Sequence, residues 1–337
     1  MKLRMRQAIA HALADEMRQD ARVIIMGEDI AAAGGPFKTS EGLLEEFGPN
    51  RVRDTPISEM GFLGAAVGAA ATGLRPVVEI MFVEFLGVAL DQLVTEAAKF
   101  RYLSGGAYGA PLVVRASVGS GLGFGAQHSQ TLETWLYATP GLKLVVPSGA
   151  RTAYGLVRAA IRDENPVAVF EPRVLYAERE EVVLGESGII PIGTGEILNK
   201  GNDVTIVGLG QTVGTALAAT QSTTWTADVI DLRSLIPWDR EMVCESVART
   251  GRLVLVEESP FSGGWGTEIA SYVASECFSE LKAPVLRITC PDVPVPYPPH
   301  LEKRFLPSSE YVREQIDVLV STNKRDQPWW VKGGYLS

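Results

Sequence analysis

Apolar residues along this chain change period in a regular way. Met5, Ile9, Leu13 and Met17 recur at helical spacing, and Val23-Ile24-Ile25-Met26 then forms an unbroken apolar run that stops at Gly27-Glu28-Asp29. This is the pattern of a helix, a buried strand and a loop. Val52 marks a short strand, Val77–Phe82 another, and residues 86–101 a long helix ending near Ser104. Leu112–Arg115, Leu142–Pro147 and Val167–Phe170 read as strands, with a helix from about Thr152 to Arg162. Residues 173–203 are charged, Gly-rich and weakly patterned, and read as a linker. Strands follow at Asp203–Gly208, Ala227–Leu232, Arg252–Val256 and Val285–Ile288, with helices at Val213–Gln221, Arg240–Thr250 and Gly266–Glu276. Short apolar strands alternating with helices predict parallel sheets covered on both faces. The expected architecture is therefore α/β, with two doubly wound domains at 1–185 and 204–337 and a linker to about 203. The stretch Pro291–Pro299 has too few backbone donors for a helix or inner strand and is expected to run extended over a surface.

One boundary carries more than architecture. Asp54-Thr55-Pro56-Ile57-Ser58-Glu59 leads directly into a small-residue apolar segment from Met60 to Gly73. Burying an unpaired carboxylate is costly, so Glu59 is either a first-turn charge complementing the helix dipole, with Ser58 as N-cap, or a group held for proton transfer. Both readings stay open at this point. Gly61, Ala65 and Ala69 share one stripe of the helix, and Gly64, Gly68 and Thr72 an adjacent one, which permits close approach of another backbone. The apolar stretch of about 14 residues falls short of the roughly 20 needed to cross a bilayer, so a buried helix at or near a subunit interface is expected.

Length and composition narrow the function classes. The 337 residues correspond to about two domains. A net charge of −9, with no basic stripe, argues against a nucleic-acid partner. Cys244, Cys277 and Cys290 are widely spaced, matching neither a disulfide framework nor a zinc pattern. The N-terminus lacks an apolar signal core, so a cytoplasmic location is expected, with no membrane partner. Only His11, His128 and His300 are present, which excludes a histidine-rich metal site.

Three further stretches are candidates for chemistry. Gly119, Gly121, Gly123 and Gly125 alternate ahead of Gln127-His128-Ser129-Gln130, so they read as a loop with unusual dihedrals that delivers a histidine. His128 suits proton transfer or oxyanion stabilisation, or simply satisfies a loop carbonyl. Gly208-Leu209-Gly210-Gln211-Thr212-Val213-Gly214 resembles a dinucleotide turn, with Asp228 and Asp231 about where a ribose-binding acid would lie. Its spacing has one residue too many, so a nicotinamide-dependent dehydrogenase is the alternative of a different class. Asp163 and Asn165 end a helix as turn formers or as oxygen ligands of a structural cation.

Several motifs in order resemble one family. They are Asp54–Glu59, the block from Glu79 to Gly106, Gln127–Gln130, Pro140–Pro147 and Val229–Asp239. Together, over residues 1 to about 325, they are similar to the β subunit of the decarboxylating component of 2-oxo acid dehydrogenase complexes. This is a transketolase-like thiamine diphosphate family. The resemblance implies a transketolase-like pyrimidine-binding domain followed by a transketolase C-terminal-like domain. It implies that Glu59 hydrogen-bonds a ring nitrogen of the cofactor's aminopyrimidine, that Ile57, Met81 and Phe85 make apolar contacts there, and that His128 serves the substrate and lipoyl group. A structural potassium ion would be held by main-chain oxygens of Leu112, Ala160 and Ile161, with Asp163 and Asn165. The family's Gly-Asp-Gly…Asn diphosphate and magnesium motif is absent, because in that family it lies on an α subunit. The resemblance therefore implies a heterotetramer of two α and two β chains, a small 2-oxo acid substrate and a lipoyl acyltransferase core as acyl acceptor, with docking on the C-terminal domain. Pyruvate or acetoin is expected ahead of a branched-chain 2-oxo acid. His300 and the tail Trp329–Tyr335 depart from the family pattern.

Overall fold

The continuous apolar runs of the first half become inner strands of a seven-stranded sheet in the computed structural model, which describes residues 1–332. The chain divides into two compact units. One comprises Met1–Gly119, Trp135–Gly193 and Ser234–Pro237, and the other Ser120–Thr134, Thr194–Arg233 and the chain from Trp238 onward.

The first unit runs β1 (Lys2–Arg4), α1 (Met5–Gln19), β2 (Val23–Gly27), α2 (Leu43–Phe47), β3 (Val52–Asp54), α3 (Glu59–Ala71) and β4 (Arg75–Ile80). It continues with α4 (Leu86–Asp91), a π-helical turn (Gln92–Ala97), α5 (Ala98–Leu103), β5 (Val113–Val118), α6 (Thr134–Tyr137), β6 (Lys143–Val145), α7 (Ala150–Arg162), β7 (Val167–Pro172) and β8 (Arg179–Glu181). The second contains β9 (Glu196–Asn199), β10 (Val204–Gly208), α8 (Thr212–Ala219) and β11 (Ala227–Asp231). Then come β12 (Ser234–Ile236), which joins the first sheet, and α9 (Arg240–Thr250), β13 (Leu253–Pro260), α10 (Gly266–Glu276), β14 (Leu286–Cys290), α11 (Pro299–Phe305), α12 (Ser309–Thr322) and α13 (Trp329–Lys332).

The first sheet has the order β12-β6-β7-β5-β4-β2-β3 and the second β14-β13-β10-β11-β9. Inner pairings are parallel, as the unbroken apolar runs require for strands covered on both faces. Each sheet also carries one antiparallel edge, β12 on β6 and β9 on β11, which the expectation of all-parallel sheets omits. The supposed linker is likewise structured. Within it, β8 pairs with β1 and β9 closes the second sheet, because both find partners distant in sequence.

On one face of the first sheet, α1 and α7 bury Ile9, Leu13 and Met17 with Ala153, Tyr154 and Val157. An ion layer crosses the same sheet. Arg115 on β5, almost fully buried, donates to Glu79 on β4 (2.9 Å) and to Glu171 on β7 (2.7 and 3.0 Å). Thr39 and Tyr176 hydroxyls donate to the same two carboxylates. α3 is not buried all round as expected: Phe62, Leu63, Ala66 and Val67 pack inward, while Gly61, Ala65, Gly68 and Thr72 face solvent in this chain. Only Gly64 meets a close neighbour. A Cβ there would lie 2.9 Å from Gln92 Oε1 on the π-helical turn.

Candidate active site

In the first unit the residues predicted for the pyrimidine follow the carboxyl ends of parallel strands, the edge at which doubly wound sheets bind ligands. Glu28 follows β2, Glu59 follows β3, and Met81 and Phe85 follow β4. Ser58 occupies the N-cap position of α3, but its hydroxyl donates to the Pro56 carbonyl (3.1 Å) instead of capping the helix. Glu59 is 9% exposed in the first helical turn, and its carboxylate accepts no hydrogen bond from the described residues. A nearly buried carboxylate with no donor among the described residues keeps its full capacity to accept a hydrogen bond.

Glu28 is the neighbour that the sequence reading leaves in a loop. Burial, then the charges of Glu59 and Asp29, raise its pKa, against a hydrogen bond from the Ser58 N–H. Its Oε1 is buried with no partner among the described residues. The signal available in sequence was an acid directly after a buried strand, as in Gly27-Glu28-Asp29. Ile57 is 86% exposed and Met60 57% exposed, so Ile57 is not core. Met81 and Phe85 are half-buried. The Phe85 ring lies edge-on to Phe82 (5.6 Å between centroids), and the Arg173 guanidinium sits 4.9 Å over Phe82. This set of an unpaired carboxylate, an orphaned acid oxygen and exposed apolar side chains fits a flat heterocycle that presents nitrogen donors.

The candidate cation ligands surround the carboxyl end of α7. The Leu112 carbonyl accepts from Val167 N–H (3.0 Å) and the Ala160 carbonyl from Asp163 N–H (3.2 Å). Arg75 Nη1 donates to the carbonyls of Ile161 and Asp163 (3.0 Å each). Asp163 Oδ1 accepts from the Asn165 backbone and side-chain nitrogens, and Oδ2 from Lys143. Burial works to raise the Asp163 carboxyl, but Lys143 and Asn165 outweigh it and hold it below the usual carboxylate range. Positive charge at this point already comes from Arg75 and Lys143. Each carbonyl keeps a second lone pair. No cluster of three or more His, Cys, Asp or Glu side chains with metal-binding geometry occurs among the described residues.

His128 lies in the second unit, on the loop Ser120–Thr134. All four alternating glycines have positive φ: 92° at Gly119, 103° at Gly121, and 72° at both Gly123 and Gly125. The loop therefore adopts the conformations that its glycines alone favour. Its amides are taken by carboxylates of the same unit. Gly121 and Gly123 N–H groups donate to Oε1 and Oε2 of Glu302 on α11 (2.8 and 2.9 Å), and Ser120 donates its N–H and hydroxyl to Glu258 on β13 (2.6 and 2.7 Å). Neither acid is marked by any local pattern in the sequence. Further along the loop, Glu133 is 4% exposed with its Oε2 unpartnered among the described residues, and burial together with Glu258 and Glu257 pushes its carboxyl up to about 8.

The dinucleotide reading of the Gly208–Gly214 turn loses both its acids, for Asp231 is fully buried beside Arg233 (3.5 Å). Asp228 is fully buried and accepts from Ser246, Arg249 and the Gly201 N–H, all inside the unit. The three cysteines are free thiols. His300 is exposed on α11, and Trp330 is buried with its ring 6.4 Å from that of Phe261. Gly333–Tyr335 of the unusual tail lie outside the described residues. No helix among the described residues is long and apolar enough to cross a membrane.

Comparison with known proteins identifies the family of the chain. Residues 1–179 match the family "Transketolase, pyrimidine binding domain", and residues 193–312 match "Transketolase, C-terminal domain". The chain is 45% identical over 317 residues to "Pyruvate dehydrogenase E1 component subunit beta" of Rhizobium meliloti (strain 1021), covering 93% of this chain and 68% of that protein. It is 42% identical over 323 residues to "Acetoin:2,6-dichlorophenolindophenol oxidoreductase subunit beta" of Bacillus subtilis (strain 168), covering 91% and 94%. Among solved structures, "Split gene transketolase, inactive beta4 tetramer" superposes with a TM-score of 0.77 at 24% identity, covering 95% of this chain and 99% of that one, which is a likeness of fold. With near-full-length relatives of this kind and both domain families matched in order, the chain belongs to the transketolase-fold family of pyruvate and acetoin dehydrogenase E1 β subunits.

Proposed function

We propose that this chain, with an α subunit in a heterotetramer of two α and two β chains, decarboxylates a 2-oxo acid, pyruvate, and passes the acyl group to a lipoyl domain of an acyltransferase core. The observation that carries this reading is Glu59, a nearly buried carboxylate with no donor among the described residues, beside a Glu28 whose pKa is raised. Thiamine diphosphate, when bound, supplies the electron sink for decarboxylation. Glu59 would hold a hydrogen bond to its pyrimidine ring, and Phe85, Met81 and Ile57 would offer apolar contact. Burial and the charges of Glu59 and Asp29 favour the protonated form of Glu28, which works against a second negative charge beside Glu59. His128 holds or passes a proton during acyl transfer. The diphosphate and its magnesium ion are held mainly by the α chain. Potassium would be held by the Leu112, Ala160 and Ile161 carbonyls, each with a lone pair to spare, together with Asp163 and Asn165.

The relative named for acetoin makes acetoin the second substrate to assay. The test is co-expression with the α subunit and turnover across pyruvate, acetoin and branched-chain 2-oxo acids. Glu59→Gln is expected to lower turnover at least about 100-fold, within the span of lost acid–base catalysis. Calorimetry is expected to show thiamine diphosphate binding only after the α chain is added. Full activity of Glu59→Gln, or saturable NADH binding by the chain alone, overturns the proposal.

A further inference from the structure

We propose that Glu302, seconded by Glu258, is a positioning residue for His128, fixing the glycine loop by filling its amide concavity with a carboxylate of the same chain. This inference rests on the reading of His128 given above. The loop is unusual in its covalent freedom. Four glycines within seven residues impose little conformational preference, so Gly119–Gly125 would explore many backbone states if nothing held it. The positive-φ conformations instead direct the Gly121 and Gly123 N–H groups to one side, making the kind of backbone concavity that binds anions.

In this protein that concavity is occupied from within. Glu302 is 3% exposed and accepts from both amides, one on each oxygen, at 2.8 and 2.9 Å. Hydrogen bonds to an ionised acceptor are about twice as strong as neutral ones, and two from one carboxylate fix orientation as well as distance. One residue earlier, Glu258 takes both the N–H and the hydroxyl of Ser120 on Oε1, while its Oε2 accepts from Gln211. The other end of the glycine run is buried under Tyr297. A Cβ at Gly125 would lie 3.2 Å from the Tyr297 ring, and the Gly125 carbonyl accepts from the His128 N–H (3.3 Å). His128 thus sits at the end of a segment held at Ser120, Gly121, Gly123 and Gly125 by Glu258, Glu302 and Tyr297.

The arrangement also explains why α11 and the proline-rich stretch matter to chemistry they do not perform. Pro299 starts α11 at its first turn, where a missing N–H costs nothing, and this sets Glu302 one turn into the helix.

The experiment uses the α/β complex with wild-type, Glu302→Gln and Glu258→Gln β chains, each also combined with His128→Ala. Glutamine keeps the shape of Glu302 but offers one neutral acceptor in place of two charged ones. Hydrogen-exchange protection of residues 120–130 is expected to fall about 10- to 100-fold in Glu302→Gln, with the strands of the second sheet unchanged. Lipoyl-dependent kcat is expected to fall about tenfold or more with the KM for the 2-oxo acid nearly constant. On the His128→Ala background the Glu302 substitution is expected to add less than about twofold, because the two residues act as one unit. Glu258→Gln gives the same pattern at smaller amplitude and carries the test should Glu302→Gln fail to fold. Unchanged protection of the loop, or fully multiplicative effects in the double variant, overturns the proposal. A wild-type complex inactive on every 2-oxo acid and acetoin refutes the functional reading instead, and the exchange measurement still decides the clamp.

Discussion

Replacing Glu133 by Gln should stabilise the protein increasingly as pH rises. Glu133 is buried, its Oε2 has no partner among the described residues, and Glu258 and Glu257 act on it, so burial and those charges push its carboxyl from 4.5 up to about 8. A carboxyl raised in the folded state keeps a proton that the unfolded chain releases. Unfolding free energy therefore falls with pH between those two values, at about 1.4 kcal/mol per pH unit, and levels off above the higher one. Glutamine has nearly the same shape and no proton to lose, so the variant escapes this term. Between pH 5.5 and 8.5 the stability difference, variant minus wild type, is expected to widen by about 3 kcal/mol. The assay is urea denaturation of the α/β complex across that range at one fixed protein concentration, since assembly makes the midpoint concentration-dependent. Every other titrating group is common to both proteins, so the change in the gap isolates Glu133. Parallel pH curves, with a constant gap, would refute the reasoning and return Glu133 to an ordinary carboxylate.

Two further outcomes follow from the first unit. Arg115→Met leaves Glu79 and Glu171 buried without their shared counter-ion and is expected to cost about 3–5 kcal/mol, read as a lower denaturation midpoint in urea. Potassium chloride is expected to raise the thermal midpoint above that in equimolar sodium chloride, through binding at the carboxyl end of α7; equal midpoints would assign the positive charge there to Arg75 and Lys143 alone.

Much of this protein was legible in its sequence because the relevant physics is local. The run Val23–Met26, the helical spacing of Met5, Ile9, Leu13 and Met17, and the valine-rich runs near residues 113 and 167 became β2, α1, β5 and β7. Glu59 stood out because a charge beside an apolar helix is costly wherever the chain goes. The glycine alternation announced positive φ, and all four positions have it. Even α12 has a helical signature in Val312, Ile316 and Leu319, which the reading passed over.

What the sequence could not disclose depends on residues meeting across long chain separations. β8 and β9 look like linker until β1 and β11 supply their partners. Glu302 reaches Gly121 across 181 positions, and Glu258 reaches Ser120 across 138. Glu133 is an unremarkable acid in sequence and Glu28 is marked only by following a buried strand, and burial beside other carboxylates is what raises their pKa values. Periodicity and backbone preference act over a turn or two, so they set each element and its apolar face. Which carboxylates share a dry interior, and which amides they hold, is decided when the sheets close and bring distant segments together.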